Sequence, residues 1–118
     1  MRILVSGSRG WKDKETIQNA LYKAVLAVLF APTIVHGGAR GADSLAQEIC
    51  EELHWKSEVH KADWNTFGRA AGYKRNREMA ESGIAKALIF WDGTSPGTKH
   101  MIDILEELRI PKEVYVVQ

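Results

Sequence analysis

"TIVHGGARGADSLAQEICEEL", residues 33–53, joins a β-prone tetrad to a loop with three glycines and an arginine, and then to apolar positions at Leu45, Ala46, Ile49, Cys50 and Leu53. Steps of three and four place those five residues on one stripe of a helix, whereas Thr33–His36 is a short strand-forming run. The stretch therefore predicts a strand, a tight loop and an amphipathic helix. The same order recurs on both sides of it. Upstream, "ILVS" (3–6) is followed by Ile17, Ala20, Leu21, Ala24, Val25 and Val28 at helical spacing. Downstream, "SEVH" (57–60) leads through a long loop to a helix over 70–82, ended by Gly83 as a left-handed cap. "ALIFW" (87–91) then precedes a helix carrying Met101, Ile102, Leu105 and Leu108, stopped by Pro111, and "EVYVV" (113–117) closes the chain as a fifth strand.

Helices between consecutive strands favour parallel pairing, because a parallel pair needs a crossover of about a dozen residues or more. With right-handed crossovers the pattern predicts an α/β, three-layer Rossmann-like sandwich with a mainly parallel five-stranded sheet, order 3-2-1-4-5. A mixed edge strand is the alternative. The whole chain, residues 1–118, reads as one domain with no linker. At that length it can bury roughly 65% of its unfolded surface.

Composition narrows the function classes. The chain is 45% hydrophobic and 26% charged, with 16 basic against 15 acidic side chains, so no basic excess advertises nucleic acid. The single cysteine, Cys50, excludes an internal disulfide, and the N-terminus runs straight into a strand-like segment without a leader pattern; a cytoplasmic protein is expected. The longest apolar run, Ala24–Ala31, falls short of the roughly 20 residues that cross a bilayer. It is apolar almost all round, which leads to the expectation of a homodimer through this helix, with burial under a neighbouring helix as the alternative.

Parallel topology puts all strand-to-helix loops on one sheet edge, and here they read "GSRGW", "GGARGAD", "ADWNTFGRAAG" and "DGTSPGT". The opposite edge carries "APT", "HWK", "GIAK" and "IPKE". Glycine is concentrated at the carboxyl edge, where open α/β sheets bind ligands at the point of strand-order reversal. Glycine lets a ligand approach the backbone, and free amides at a helix start attract anions, so phosphate is the natural occupant. Candidate binding residues are Gly7, Ser8 and Arg9 after strand 1, and Gly37, Gly38, Arg40, Gly41 and Asp43 after strand 2. Arg75 and Asn76 on the fourth-from-last element, and Gly97 with Thr98 at the last helix start, complete the set. Glycines that only make tight turns are the competing reading for any one loop.

Standard phosphate motifs fit poorly. Gly38 and Gly41 supply the end of a G-x-G-x-x-G fingerprint, but His36 holds its first glycine position and no Walker lysine follows. "SGSRG" (6–10) has Ser6 where a nucleophile elbow has glycine, which disfavours a Ser8 hydrolase. Scattered His36, His54, His60 and His100 form no metal motif with Cys50, so no metal cofactor is expected, and Mg²⁺ enters only as companion to a phosphate. Asp43 suits either the helix dipole or a ribose, and Trp64 and Phe67 suit either a stacked base or a capped core.

Taken together, "GSRGW", "HGGARGAD", "AAGYKRNREM" and "DGTSPGT" resemble the small YspA/YpsA-like branch of the SLOG superfamily, which includes the LOG phosphoribohydrolases and, more distantly, DprA. The resemblance spans nearly the whole chain and implies recognition of a nucleotide or nucleotide-derived molecule, as a sensor or processing protein. Arg75 and Met79 are similar to the arginine and methionine of the LOG R-K-x-x-M motif, with Asn76 in place of lysine, which makes Arg75 the candidate catalytic residue. Gly97 and Thr98 match the LOG P-G-G-x-G-T-x-x-E motif, but Met101 occupies its glutamate position. LOG-like cleavage of the N-glycosidic bond of a nucleoside 5′-monophosphate would then need Asp43, Asp92 or Glu78 instead. The remaining alternative is a DNA-binding or protein-interaction module, with Lys61, Arg69, Lys74, Arg75 and Arg77 as its basic cluster.

Overall fold

A computed structural model describes residues 1–26 and 30–116. Its sheet is five-stranded and parallel throughout, in the order β3-β2-β1-β4-β5, so no strand runs against the others. The strands are β1 (Arg2–Gly7), β2 (Thr33–His36), β3 (Lys56–Val59), β4 (Lys86–Trp91) and β5 (Lys112–Val116). Between them run α1 (Lys14–Val25), α2 (Ala42–Leu53), the short α3 (Trp64–Phe67), α4 (Ala71–Ala80) and α5 (Pro96–Glu107).

Two cores follow from the alternation of side chains along the central strands. Ile3 and Val5 of β1 point to one face with Ile34, Leu88 and Phe90, where α1 and α2 cover them with Ile17, Leu21, Ala46 and Ile49. Leu4, Val35, Ala87 and Ile89 point to the other face, under Met79 of α4 and Met101, Ile104 and Leu105 of α5. Burial on both faces explains why β4 reads as an unbroken apolar run. Cys50 lies in the first core, where burial pushes its thiol up to about 11.

Local signals set the element ends. Asp13 caps α1 by accepting the amide of Thr16, and His54 ends α2 in the left-handed conformation. The expected helix over 70–82 is shorter: α4 stops at Ala80, and Gly83, at φ +89°, closes the turn beyond it rather than capping the helix itself. The long loop contains α3 and a single 3-10 turn over Gly68–Ala70, because Asp63 accepts the amide of Thr66. Val28 and Val117, expected in α1 and β5, lie outside the described residues. At the end of α1, Leu26 and Phe30 are each 82% exposed. No helix among the described residues is long and apolar enough to cross a membrane.

Order 3-2-1-4-5 makes β1 the point where the chain reverses direction across the sheet. The loops after β1 and β4 diverge there to opposite faces, opening a crevice at the carboxyl edge.

Candidate functional site

A cavity of about 410 Å³ occupies that crevice. Its floor is Ser6–Gly10 of the β1 loop, one wall is the start of α5, another is the inner face of α4, and Ala39 and Asp43 close it from the β2 side. Trp64 and Arg69, from α3 and the turn after it, form the rim.

The start of α5 lines the cavity with its first turn. Asp92 folds back into its own turn, accepting the amides of Thr94 (2.8 Å) and Ser95 (2.7 Å) and the Ser95 hydroxyl (2.6 Å). Those bonds, the Ser95 hydroxyl first, hold its carboxyl well below the usual carboxylate range. Pro96 then begins the helix with its φ already set. The amides of Gly97 and Thr98 follow in the first turn, where no partner exists inside a helix. Thr98 is 4% exposed, and its hydroxyl opens to the cavity because the one buried side-chain polar atom without a partner among the described residues is Arg2 Nε. A side chain at Gly97 would meet nothing within 4 Å.

Arg75 crosses the cavity from α4. Its Nη1 donates to the carbonyl of Gly37 (2.8 Å) and more weakly to that of His60 (3.4 Å), and its Nε donates to Asn76 Oδ1 (3.2 Å). No bond within the described residues uses Nη2. Partial burial lowers its pKa, Asp43 opposes that, and Arg9 adds to it; among the described residues neither guanidinium has an ion-pair partner at contact. Arg9 itself lies over the Trp64 ring at 5.9 Å. Asn76 is a strut: its Nδ2 donates to the carbonyl of Gly97 (3.2 Å), tying α4 to the start of α5.

The glycine loop after β2 behaves differently. Its amides are spent internally: Gly37 donates to Asp43 Oδ2 (3.0 Å), Ala39 to the same oxygen (3.3 Å), and Gly38 to His36 Nδ1 (3.0 Å). Gly37, Gly38, Arg40 and Gly41 do not line the cavity. Glycine is needed at 37 because a Cβ there would collide with the Arg75 guanidinium, and at 41 because φ is +75° and the carbonyls of Ser8 and Arg9 press against it. The loop thus positions Asp43 and Arg75 from the two sides of Gly37.

Asp43 is 5% exposed and is the sole carboxylate among the described residues lining the cavity. Burial raises its pKa, against the pull of the Ala39 amide, His36, Arg75 and the Gly37 amide. Ser8 is a tie between loops, its amide donating to Phe90 and its Oγ accepting the amide of Asp92 (2.9 Å). Met101 is fully buried in the second core and Glu78 faces outward on α4, so neither Glu78 nor Asp92 joins the lining.

Of the expected residues, the cavity brings together Gly7, Ser8, Arg9, Asp43, Arg75, Asn76, Gly97 and Thr98. Trp64 joins them, while Phe67 lies instead beneath Lys74 (4.5 Å). The basic cluster divides: Arg69 and Arg75 turn to the cavity, and Arg77 pairs with Glu107 (2.6 Å) on the outside. Tyr73 is a lining residue that the sequence reading missed. Its signal is the spacing of Arg69, Gly72, Tyr73 and Asn76, which is that of one helix face. Among the described residues no three His, Cys, Asp or Glu side chains group as a metal site would require.

Comparison with known proteins covers this architecture in two parts. The family described as YspA, cpYpsA-related SLOG matches residues 1–67, which hold β1 through α3 and therefore the floor, the glycine loop and Trp64. Gene 61 protein of Mycobacterium phage D29 is 38% identical over 115 residues, spanning 93% of this chain and 92% of the phage protein. No solved structure matches.

Proposed function

Because the chain belongs to the YspA, cpYpsA-related SLOG family, we propose that its cavity binds a nucleotide or nucleotide-derived phosphorylated ligand, as a sensor or processing protein. The observation that carries this reading is the convergence of two anion-seeking groups on one cavity. Gly97 and Thr98, whose amides have no partner among the described residues, line the same cavity as Arg75. Both favour a phosphate with its charge-assisted hydrogen bonds. A cavity of about 410 Å³ lies in the lower part of the roughly 300–1,000 Å³ range of small-molecule sites, which suits one mononucleotide better than a dinucleotide.

In this reading the phosphate rests on α5, with Arg75 and Arg9 supplying charge. The base lies toward the rim, where Trp64 and Tyr73 are 48% and 46% exposed and offer aromatic faces. Gly37 and Gly38 act indirectly, by fixing Arg75 and Asp43, rather than by donating to phosphate. Mg²⁺ would enter only as a cation coordinated by the phosphate of the nucleotide.

Hydrolysis of the glycosidic bond is the second reading, and the position of Met101 weighs against it. The residue standing at the LOG glutamate position is packed in the core, and Asp43 is the single lining carboxylate left to replace it. The test is proton NMR of ribonucleoside 5′-monophosphates incubated with the protein for a day. Line broadening of nucleotide signals without free base supports binding; free base with ribose 5-phosphate supports cleavage; unchanged spectra refute both.

A further inference from the structure

The cavity is strongly unbalanced in hydrogen-bonding character. Arg9, Arg69, Arg75 and the α5 amides are donors, and each seeks an acceptor on the ligand. The polar side chains that could accept are largely engaged: Ser8 Oγ takes the amide of Asp92, and Asn76 Oδ1 takes Arg75 Nε. The Thr98 hydroxyl is open but can donate as well as accept; Asp43 is the one carboxylate, acceptor-only when ionised, among the described lining residues. Both of its loop contacts fall on Oδ2. Its other oxygen makes no hydrogen bond among the described residues, yet it is not one of the sealed, unpartnered atoms, so Oδ1 keeps some exposure on a residue that lines the cavity.

An anion bound by Arg75 cannot extend onto Asp43, because two negative groups would then meet in a partly desolvated space. The part of the ligand that reaches Oδ1 has to donate. Asp43 and Arg75 grip opposite sides of Gly37, so that donor sits close beside the bound phosphate. In a nucleoside phosphate the neutral donors attached to the phosphate-bearing part are the ribose hydroxyls.

We propose that Asp43 makes the site selective for ribonucleotides over deoxyribonucleotides, with a ribose hydroxyl donating to Asp43 Oδ1. This inference rests on the nucleotide-binding reading above and adds the sugar to it. The Oδ2 contacts define the means of testing it. Asp43→Asn keeps an oxygen for the amides of Gly37 and Ala39 and replaces the cavity-facing acceptor by an NH₂ donor of nearly the same shape.

The experiment is calorimetric titration of the full chain with 5′-monophosphates carrying each of the four bases, as ribo, 2′-deoxy and 3′-deoxy forms. A hydrogen bond to a charged acceptor predicts that the wild-type protein binds the ribo form at least about tenfold more tightly than one of the deoxy forms. In Asp43→Asn the ratio of ribo to deoxy affinity falls to near unity. Equal wild-type affinities for all three sugars would overturn the proposal while leaving the nucleotide reading intact. A preference that survives in Asp43→Asn would also overturn it. Absence of binding by every nucleotide would overturn the nucleotide reading and this inference with it. Should Asp43→Asn fail to fold by circular dichroism, the wild-type ratios decide alone.

Discussion

Replacing Arg75 by alanine separates the ligand-binding role proposed for this side chain from its place in the fold. Within the protein its guanidinium holds the carbonyl of Gly37 at 2.8 Å and Asn76 Oδ1 at 3.2 Å. Loss of those bonds costs stability, but the change also removes a half-buried cation that faces Arg9, so the two effects oppose each other. The net change is expected to stay within about 1 kcal/mol, a few degrees in Tm. Binding has no such offset. A charge-assisted hydrogen bond from Nη2 to phosphate is worth about 1.5–3 kcal/mol, which is roughly a ten- to 150-fold loss of affinity. Arg75→Lys keeps the charge but lacks the planar fork that reaches both Gly37 and a phosphate, and should fall between the two. Calorimetric titration with a ribonucleoside 5′-monophosphate and with its parent nucleoside is the assay. The variant should weaken only the phosphorylated ligand. Equal affinity of wild type and Arg75→Ala for the monophosphate, or an equal loss for the nucleoside, would refute the phosphate role.

Other consequences can be measured independently. Gly97→Val should leave Tm nearly unchanged, since a Cβ there meets no atom within 4 Å, yet abolish nucleotide binding by filling the space over the helix amides; undiminished affinity would remove the phosphate from α5. Glu58 is held by Arg2 Nη1 and Nη2 (2.9 and 2.7 Å) and by His60 (2.6 Å), and the Arg2 bonds chiefly lower its pKa from 4.5 to about 2. Its stabilising contribution is therefore present above pH 4.5 and lost as pH falls toward 2. Thermal melts across that window should show a shallower loss of Tm in Glu58→Gln than in wild type, and parallel slopes would discount the network.

The elements that the sequence made legible are those with long periodic patterns. α2 and α5 announce themselves through apolar stripes, and β2 is bounded by Pro32 on one side and Gly37 on the other. α3 escaped notice because four residues, none of them buried, carry no periodicity; its one signal is Asp63 three residues ahead of Thr66, an N-cap pair. β3 begins one residue earlier than the sequence pattern places it, since Lys56 pairs with Thr33 although its side chain is exposed. Edge strands need no apolar alternation on an open face.

The site divides in the same way. Gly97 and Thr98 are legible because Pro96 marks a helix start, and the direction of amides at a helix start is fixed by the helix. The direction of the Gly37 and Gly38 amides is not, because it depends on Asp43 and His36 folding back across the loop. A glycine-rich loop therefore reads as a phosphate cradle in the sequence, while in the structure its Gly37, Gly38 and Ala39 amides are bonded to Asp43 and His36. Tyr73 lines the cavity on the same face of α4 as Gly72 and Asn76, and Arg69 joins them from the turn over Gly68–Ala70.

The most direct measurement is a ¹H–¹⁵N correlation spectrum of the labelled protein titrated with a ribonucleoside 5′-monophosphate. Phosphate on α5 predicts that the amides of Gly97 and Thr98 shift strongly, while those of Gly37 and Gly38, already bonded to Asp43 and His36, move little. Large shifts at Gly37 and Gly38 with Gly97 and Thr98 unmoved, or no shift anywhere at saturating nucleotide, would contradict the account.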